Sequence, residues 1–145
     1  MPRPAPWRLD SARYPHRATV QTRFQDLDVL GHLNNVAFAA LFETARTRFN
    51  SETELWGERF SGRRAVIASQ EIHYLAEGSY PDDVEVATGI GQVGNRSWSV
   101  LAAMFQHDRP IASCDVVIVM DKATDGAGMP DPFRARLEEL RVREG

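Results

Sequence analysis

The chain has 145 residues, 43% hydrophobic and 26% charged, with a formal net charge of −3. That fits one globular domain rather than two, large enough to bury roughly 70% of its unfolded surface. The single cysteine, Cys114, excludes an intrachain disulfide and a zinc site built from several cysteines, the longest apolar run (36–42) is far too short to span a membrane, and the charge balance argues against a nucleic-acid surface.

In chain order, residues 1–16 are rich in Pro and Arg and show no period. They read as a loose arm with one turn near Leu9 to Arg13. The start lacks the apolar stretch of a secretory signal, so a cytoplasmic protein is expected. Residues 17–25 alternate and predict a strand. Residues 26–33 break the pattern with Asp, Asp and Gly and predict a loop. A helix follows from about 34 to 49. Phe38, Phe42, Ala45 and Phe49 recur at spacings of four, three and four, which is one helical face. Asn34 or Asn35 suits its N-cap. Residues 51–63 are polar, with Gly57 and Gly62, and read as a connection.

Strands are predicted near 65–77, 83–93, 97–107 and 110–121. In the second, Val84, Val86, Thr88 and Ile90 share a face opposite Glu85 and Ala87. Turn signals at Pro81-Asp82-Asp83, Gly94-Asn95-Arg96 and His107-Asp108-Arg109-Pro110 imply sequential antiparallel pairing. After a Gly-containing loop at 122–130, Asp131 reads as the N-cap of a last helix within 131–142, with Pro132 at its first position. The order predicts an α+β domain in which an antiparallel sheet of about five strands packs on one long helix. One helix covers one sheet face, so the other face or an edge is expected to meet a second copy.

Chemistry concentrates in Asp26-Leu27-Asp28-Val29-Leu30-Gly31-His32-Leu33-Asn34-Asn35. A strand ends there and a helix begins. A helix N-terminus presents unpaired amides and partial positive charge, and so accepts an oxyanion. A carboxylate beside it makes a minimal acyl-transfer apparatus: it attacks or activates water while the amides hold the developing charge. A calcium loop is excluded, because Leu30 and Ala37 occupy positions five and twelve. His32 has no second histidine at helical spacing, so no metal site is expected.

The run Asp-x-Asp-x-x-Gly-His-x-Asn-Asn, followed by Phe38 and Glu43-x-Ala-Arg46, resembles the 4-hydroxybenzoyl-CoA thioesterase family of the hotdog fold. The resemblance covers about 17–121 and leaves out the arm and the last helix. It implies that Asp28 is the catalytic carboxylate and that the backbone N–H of Asn35 polarises the thioester carbonyl. Gly31 and His32 match the turn that shapes the loop, and Glu43 and Arg46 match a helix signature. The loop Gly94-Asn95-Arg96-Ser97 matches one that touches CoA, with Arg63 and Arg64 as a second candidate pair. Active sites of the family lie at dimer interfaces. Family members often carry Tyr where this chain has Phe38.

The site expected is therefore Asp28, Asn35, His32 and Glu43 for catalysis, with Gly31, Asn34, Arg96 and Ser97 binding substrate. No cofactor is called for. The substrate is an acyl-CoA or aryl-CoA, and the assembly a homodimer or homotetramer. Each residue also has a purely structural reading. Asp26 and Asp28 suit turns, Asn34 and Asn35 suit caps, and Glu43 suits an i, i+3 pair with Arg46. Two other functions fit the motif: a non-catalytic acyl-CoA binding module, and an acyl-thioester hydratase or dehydratase using His32 with Asp28 or Glu43.

Overall fold

One helical stripe of phenylalanine organises the core of the computed structural model, which describes residues 3–57, 60, 62–123 and 125–144. Helix α1 spans Asn35–Glu52, and Phe38, Phe42, Ala45 and Phe49 are all buried on its sheet-facing side. The helix outlasts its predicted end near Phe49 because the Thr53 hydroxyl and amide both bond the Phe49 carbonyl and close its last turn.

Five strands follow the alternation of the sequence: β1 His16–Val20, β2 Ala65–Tyr74, β3 Val84–Val93, β4 Ser97–Gln106 and β5 Arg109–Met120. All pairs are antiparallel, in the order β1-β3-β4-β5-β2. α1 crosses the face of β1, β3 and β4. This α+β arrangement, a five-stranded antiparallel sheet packed on one long helix, is the hotdog fold that the resemblance implied. A short helix α2, Asp131–Glu139, adds Phe133 to the core, its ring 5.0 Å from that of Trp98.

Several expectations are corrected. β1 stops at Val20 because the chain turns at Phe24–Asp26, where the buried Asp26 carboxylate accepts from the Arg23 amide and guanidinium. Sequential pairing holds for β3, β4 and β5 but not for β2. That strand pairs with β5, from Ala65 opposite Met120 to Tyr74 opposite Ala112. Its connection to β3 does not turn back on itself; the amides of Leu75 and Ala76 bond the Ile111 carbonyl and carry the chain across the sheet end. Asp131 is the first residue of α2 rather than its cap, which is Pro130. The helix ends at Glu139, and the next residues run along β3, with the Ile90 amide on the Leu140 carbonyl and the Val142 amide on the Ile90 carbonyl, both at 2.8 Å.

The N-terminal arm is not loose. It makes two 3-10 turns, Pro6–Leu9 and Ser11–Arg13, and lies on the sheet face away from α1. Tyr14 is buried there with Ala87, Leu101, Ala103, Phe105 and Val142, and Trp7 packs against them. The Arg8 guanidinium is 2.7 Å from Asp115 and donates to the Tyr14 hydroxyl. Part of the outer face is thus covered by the chain itself.

Candidate active site

The loop from Asp26 to Asn34 is clamped at its base. Leu27 and Leu33 form an antiparallel bridge, and the Asn34 amide donates to the Asp26 carbonyl at 2.9 Å. Within it the Asp28 amide donates to the His32 carbonyl at 2.8 Å and the Gly31 amide to the Asp28 carbonyl at 3.1 Å. Gly31 has φ 81°, a conformation that a side chain would strain. The turn leaves the Asp28 side chain at the surface, where Oδ1 accepts from the amides of Leu30 at 2.9 Å and His32 at 3.2 Å. Those two bonds fix the direction of the carboxylate.

α1 starts where the loop ends. Asn34 is its N-cap, with Oδ1 accepting from the Ala37 amide at 2.8 Å, and Asn35 is its first residue. Of the amides that a helix start leaves open, those of Asn34 and Ala37 are thereby bonded, while those of Asn35 and Val36 meet no acceptor among the described residues. Asn34→Ala is expected to cost about 1 kcal/mol, read as a lower urea midpoint, because it releases the Ala37 amide.

Asp28, His32, Phe38, Tyr74 and Glu77 share an open pocket of about 390 Å³. Phe38 meets Tyr74 edge to face at 5.2 Å between ring centres. Thus the position where family members often carry Tyr packs here on a tyrosine from β2. His32 Nε2 lies 3.0 Å from Glu77 Oε2. Glu77 was not anticipated; it comes from the connection after β2, and nothing in its local sequence marks it. Among the described residues, no cluster of His, Cys, Asp or Glu could hold a metal ion. A larger cavity of about 630 Å³, by Thr47, Asn50 and Trp56, sits at the other end of α1.

The remaining expected residues lie elsewhere. Glu43 is exposed on α1, 3.8 Å from the buried Arg46, and does not line the Asp28 pocket. Arg96 stands in the β3–β4 turn, with its guanidinium on the Met120 carbonyl at 3.3 Å, and Ser97 opens β4. Arg96 shares a separate pocket of about 330 Å³ with Arg64 and Asp121. Arg63 pairs with Asp121 at 3.2 Å, while the Arg64 side chain remains 91% exposed. The two basic segments of the sequence therefore converge at the start of β2.

A family model, the thioesterase-like superfamily, matches residues 22–137. Among solved structures, a thioesterase complexed with coenzyme A and Zn from Thermus thermophilus is 29% identical, covers 90% of this chain and 98% of its own, and superposes with a TM-score of 0.75. A predicted thioesterase from Bacillus stearothermophilus is 28% identical over 89% of this chain and 98% of its own, with a TM-score of 0.73. A Pseudomonas aeruginosa protein shares the fold at 24% identity, covering 93% of this chain and 97% of its own, with a TM-score of 0.78. No match is found among curated proteins.

Proposed function

The chain belongs to the thioesterase-like superfamily, and we propose that it is an acyl-CoA thioesterase of the 4-hydroxybenzoyl-CoA thioesterase type. One observation carries the reading: the Asp28 carboxylate is held in a pocket at the foot of a helix whose first two amides are unclaimed. The thioester carbonyl oxygen is placed at the Asn35 amide, which stabilises the oxyanion as it forms. Asp28 either attacks the carbonyl carbon or takes a proton from the water that does. The C–S bond breaks, the sulfur leaves as the CoA thiol, and water supplies the OH of the released acid. Gly31 and Asn34 serve by shaping the loop and capping the helix. Glu43, outside the pocket, acts in this reading through Arg46, 3.8 Å away on α1.

Arg64 and Arg96 bind the CoA phosphates in this reading, with Ser97 beside them, because guanidinium groups suit phosphate. In one copy they stand at the far end of the ten-residue β2 from Tyr74, roughly 30 Å away. A second copy paired antiparallel along β2 brings its arginines beside this copy's Asp28. β2 is an edge strand whose Val66, Ile67 and Tyr74 are exposed at 67%, 49% and 52%, as expected of a strand awaiting a partner. The reading therefore includes a homodimer. Among the described residues, no helix is long and apolar enough to cross a membrane. Replacing both Arg64 and Arg96 by Ala is expected to raise KM for a CoA thioester by about tenfold, more at low than at high salt. KM for the matching pantetheine thioester, which lacks the nucleotide, is expected to stay unchanged.

The function is tested by incubating the protein with acyl- and aryl-CoA thioesters and detecting free CoA with a thiol reagent. Cys114 stays silent in that assay, since burial pushes its thiol up to about 12. Thermal stabilisation by intact acyl-CoA without thiol release would instead make the protein a binding module. Loss of enoyl-CoA absorbance without thiol release would make it a hydratase.

A further inference from the structure

The pocket holds a second carboxylate that the motif does not supply. Glu77 Oε2 lies 3.0 Å from His32 Nε2, and both residues face the space in front of Asp28. The approach is built into the backbone. The Leu33 amide donates to the Gly78 carbonyl at 3.0 Å, joining the Asp28 loop to the connection after β2. A methyl group on Gly78 would meet Leu33 Cδ1 at 2.5 Å, so the buried Leu33 side chain would have to shift to admit one. With Nε2 turned to Glu77, Nδ1 of His32 has no protein partner among the described residues.

We infer that Glu77 is a positioning residue of the site, orienting the His32 ring so that its second nitrogen moves protons during thioester cleavage; this rests on the hydrolysis proposed above. A carboxylate on one ring nitrogen fixes the tautomer and leaves the other nitrogen to exchange a proton. As the C–S bond breaks, the leaving sulfur takes the proton from Nδ1 of the imidazolium. The incoming water bonds through oxygen to the acyl carbon, and the proton it gives up returns to Nδ1, directly when Asp28 is the nucleophile or by way of the Asp28 carboxylate when Asp28 is the base, so the ring ends as it began. Thioester and water become acid and thiol.

The titratable groups around His32 are Asp28, whose Oδ1 accepts from the His32 amide, Tyr74 at the end of β2, and Glu77 itself. Arg109 of β5 reaches the Glu77 carbonyl at 3.4 Å. The test uses the full-length protein, with E77Q and E77D beside it. Imidazole 15N NMR reads the tautomer of His32, assigned with an H32N variant, and thiol release gives kcat and KM. Glu77 is exposed, so folding is expected to survive. In E77Q the His32 ring is expected to lose its single tautomer, its two ring-nitrogen signals moving toward averaged positions. With it kcat falls about tenfold while KM stays near wild type. E77D keeps both near wild type. An unchanged His32 tautomer in E77Q, or a changed tautomer with unchanged kcat, would overturn the role of Glu77 alone. Absence of thiol release from the wild type would overturn the hydrolysis reading and this role with it.

Discussion

Asp28→Asn is expected to lower kcat for thioester hydrolysis by about a thousandfold while leaving the fold intact. The asparagine side chain has the same shape, and its Oδ1 accepts from the Leu30 and His32 amides as the carboxylate does. The loop geometry and the cap at Asn34 therefore persist. What disappears is the charge that attacks the carbonyl or draws a proton from water. KM is expected to change little, since the thioester still meets the Asn35 amide and the aromatic wall of Phe38 and Tyr74. A fall in kcat with constant KM marks a group that acts in the transition state. The measurement is thiol release under saturating substrate, with circular dichroism and thermal unfolding of the same preparation. Near-normal turnover in the variant would remove Asp28 from the mechanism.

Phe42→Ala is expected to cost about 3–5 kcal/mol of stability. Phe42 is 1% exposed and sits mid-helix in the main core cluster. Truncation removes its transfer energy and leaves a cavity that α1 and the sheet, fixed by their other contacts, do not close. In a domain of this length that loss lowers Tm by more than about 10 °C. Val36→Ala is the control, because Val36 is 71% exposed and its truncation is expected to fall within about 0.5 kcal/mol of wild type. Both are measured by urea unfolding at one fixed protein concentration, since assembly would couple to stability. A loss below about 1 kcal/mol for Phe42 would contradict the packing described.

What the sequence made legible follows from periodicity and local chemistry. The Phe38–Phe49 stripe announced α1 and its buried face, and the alternation of Val84, Val86 and Ile90 announced β3. The Asp28–Asn35 run announced a loop leading into a capped helix, and the structure forms one with Asn34 as the cap. What stayed hidden depends on contacts between distant segments. Trp7 and Tyr14 are single apolar residues in a Pro-rich arm, so no period revealed that they pack on the sheet. A Pro-Asp-Asp turn signal before β3 shows where a strand begins, not which neighbour its predecessor takes, and β2 went to β5. Glu77 stands beside His32 only because the connection after β2 crosses back to the Asp28 loop. Arg64 and Arg96 meet only because β5 aligns the start of β2 with the β3–β4 turn.

The seal on the outer sheet face also sets an order of events during synthesis. Arg8 finds Asp115 only after β5 has been made, and Arg13 and Arg143, bonded to each other through backbone and side chain, are 130 residues apart. The arm is made before any of the strands and is fastened only after β5. Until the tail arrives, Leu101, Ala103 and Phe105 lack the Val142 that shares their cluster. A nascent chain thus carries an uncovered apolar sheet face from the synthesis of β4 until Val142 emerges, and the closing of that face waits on the segment after α2.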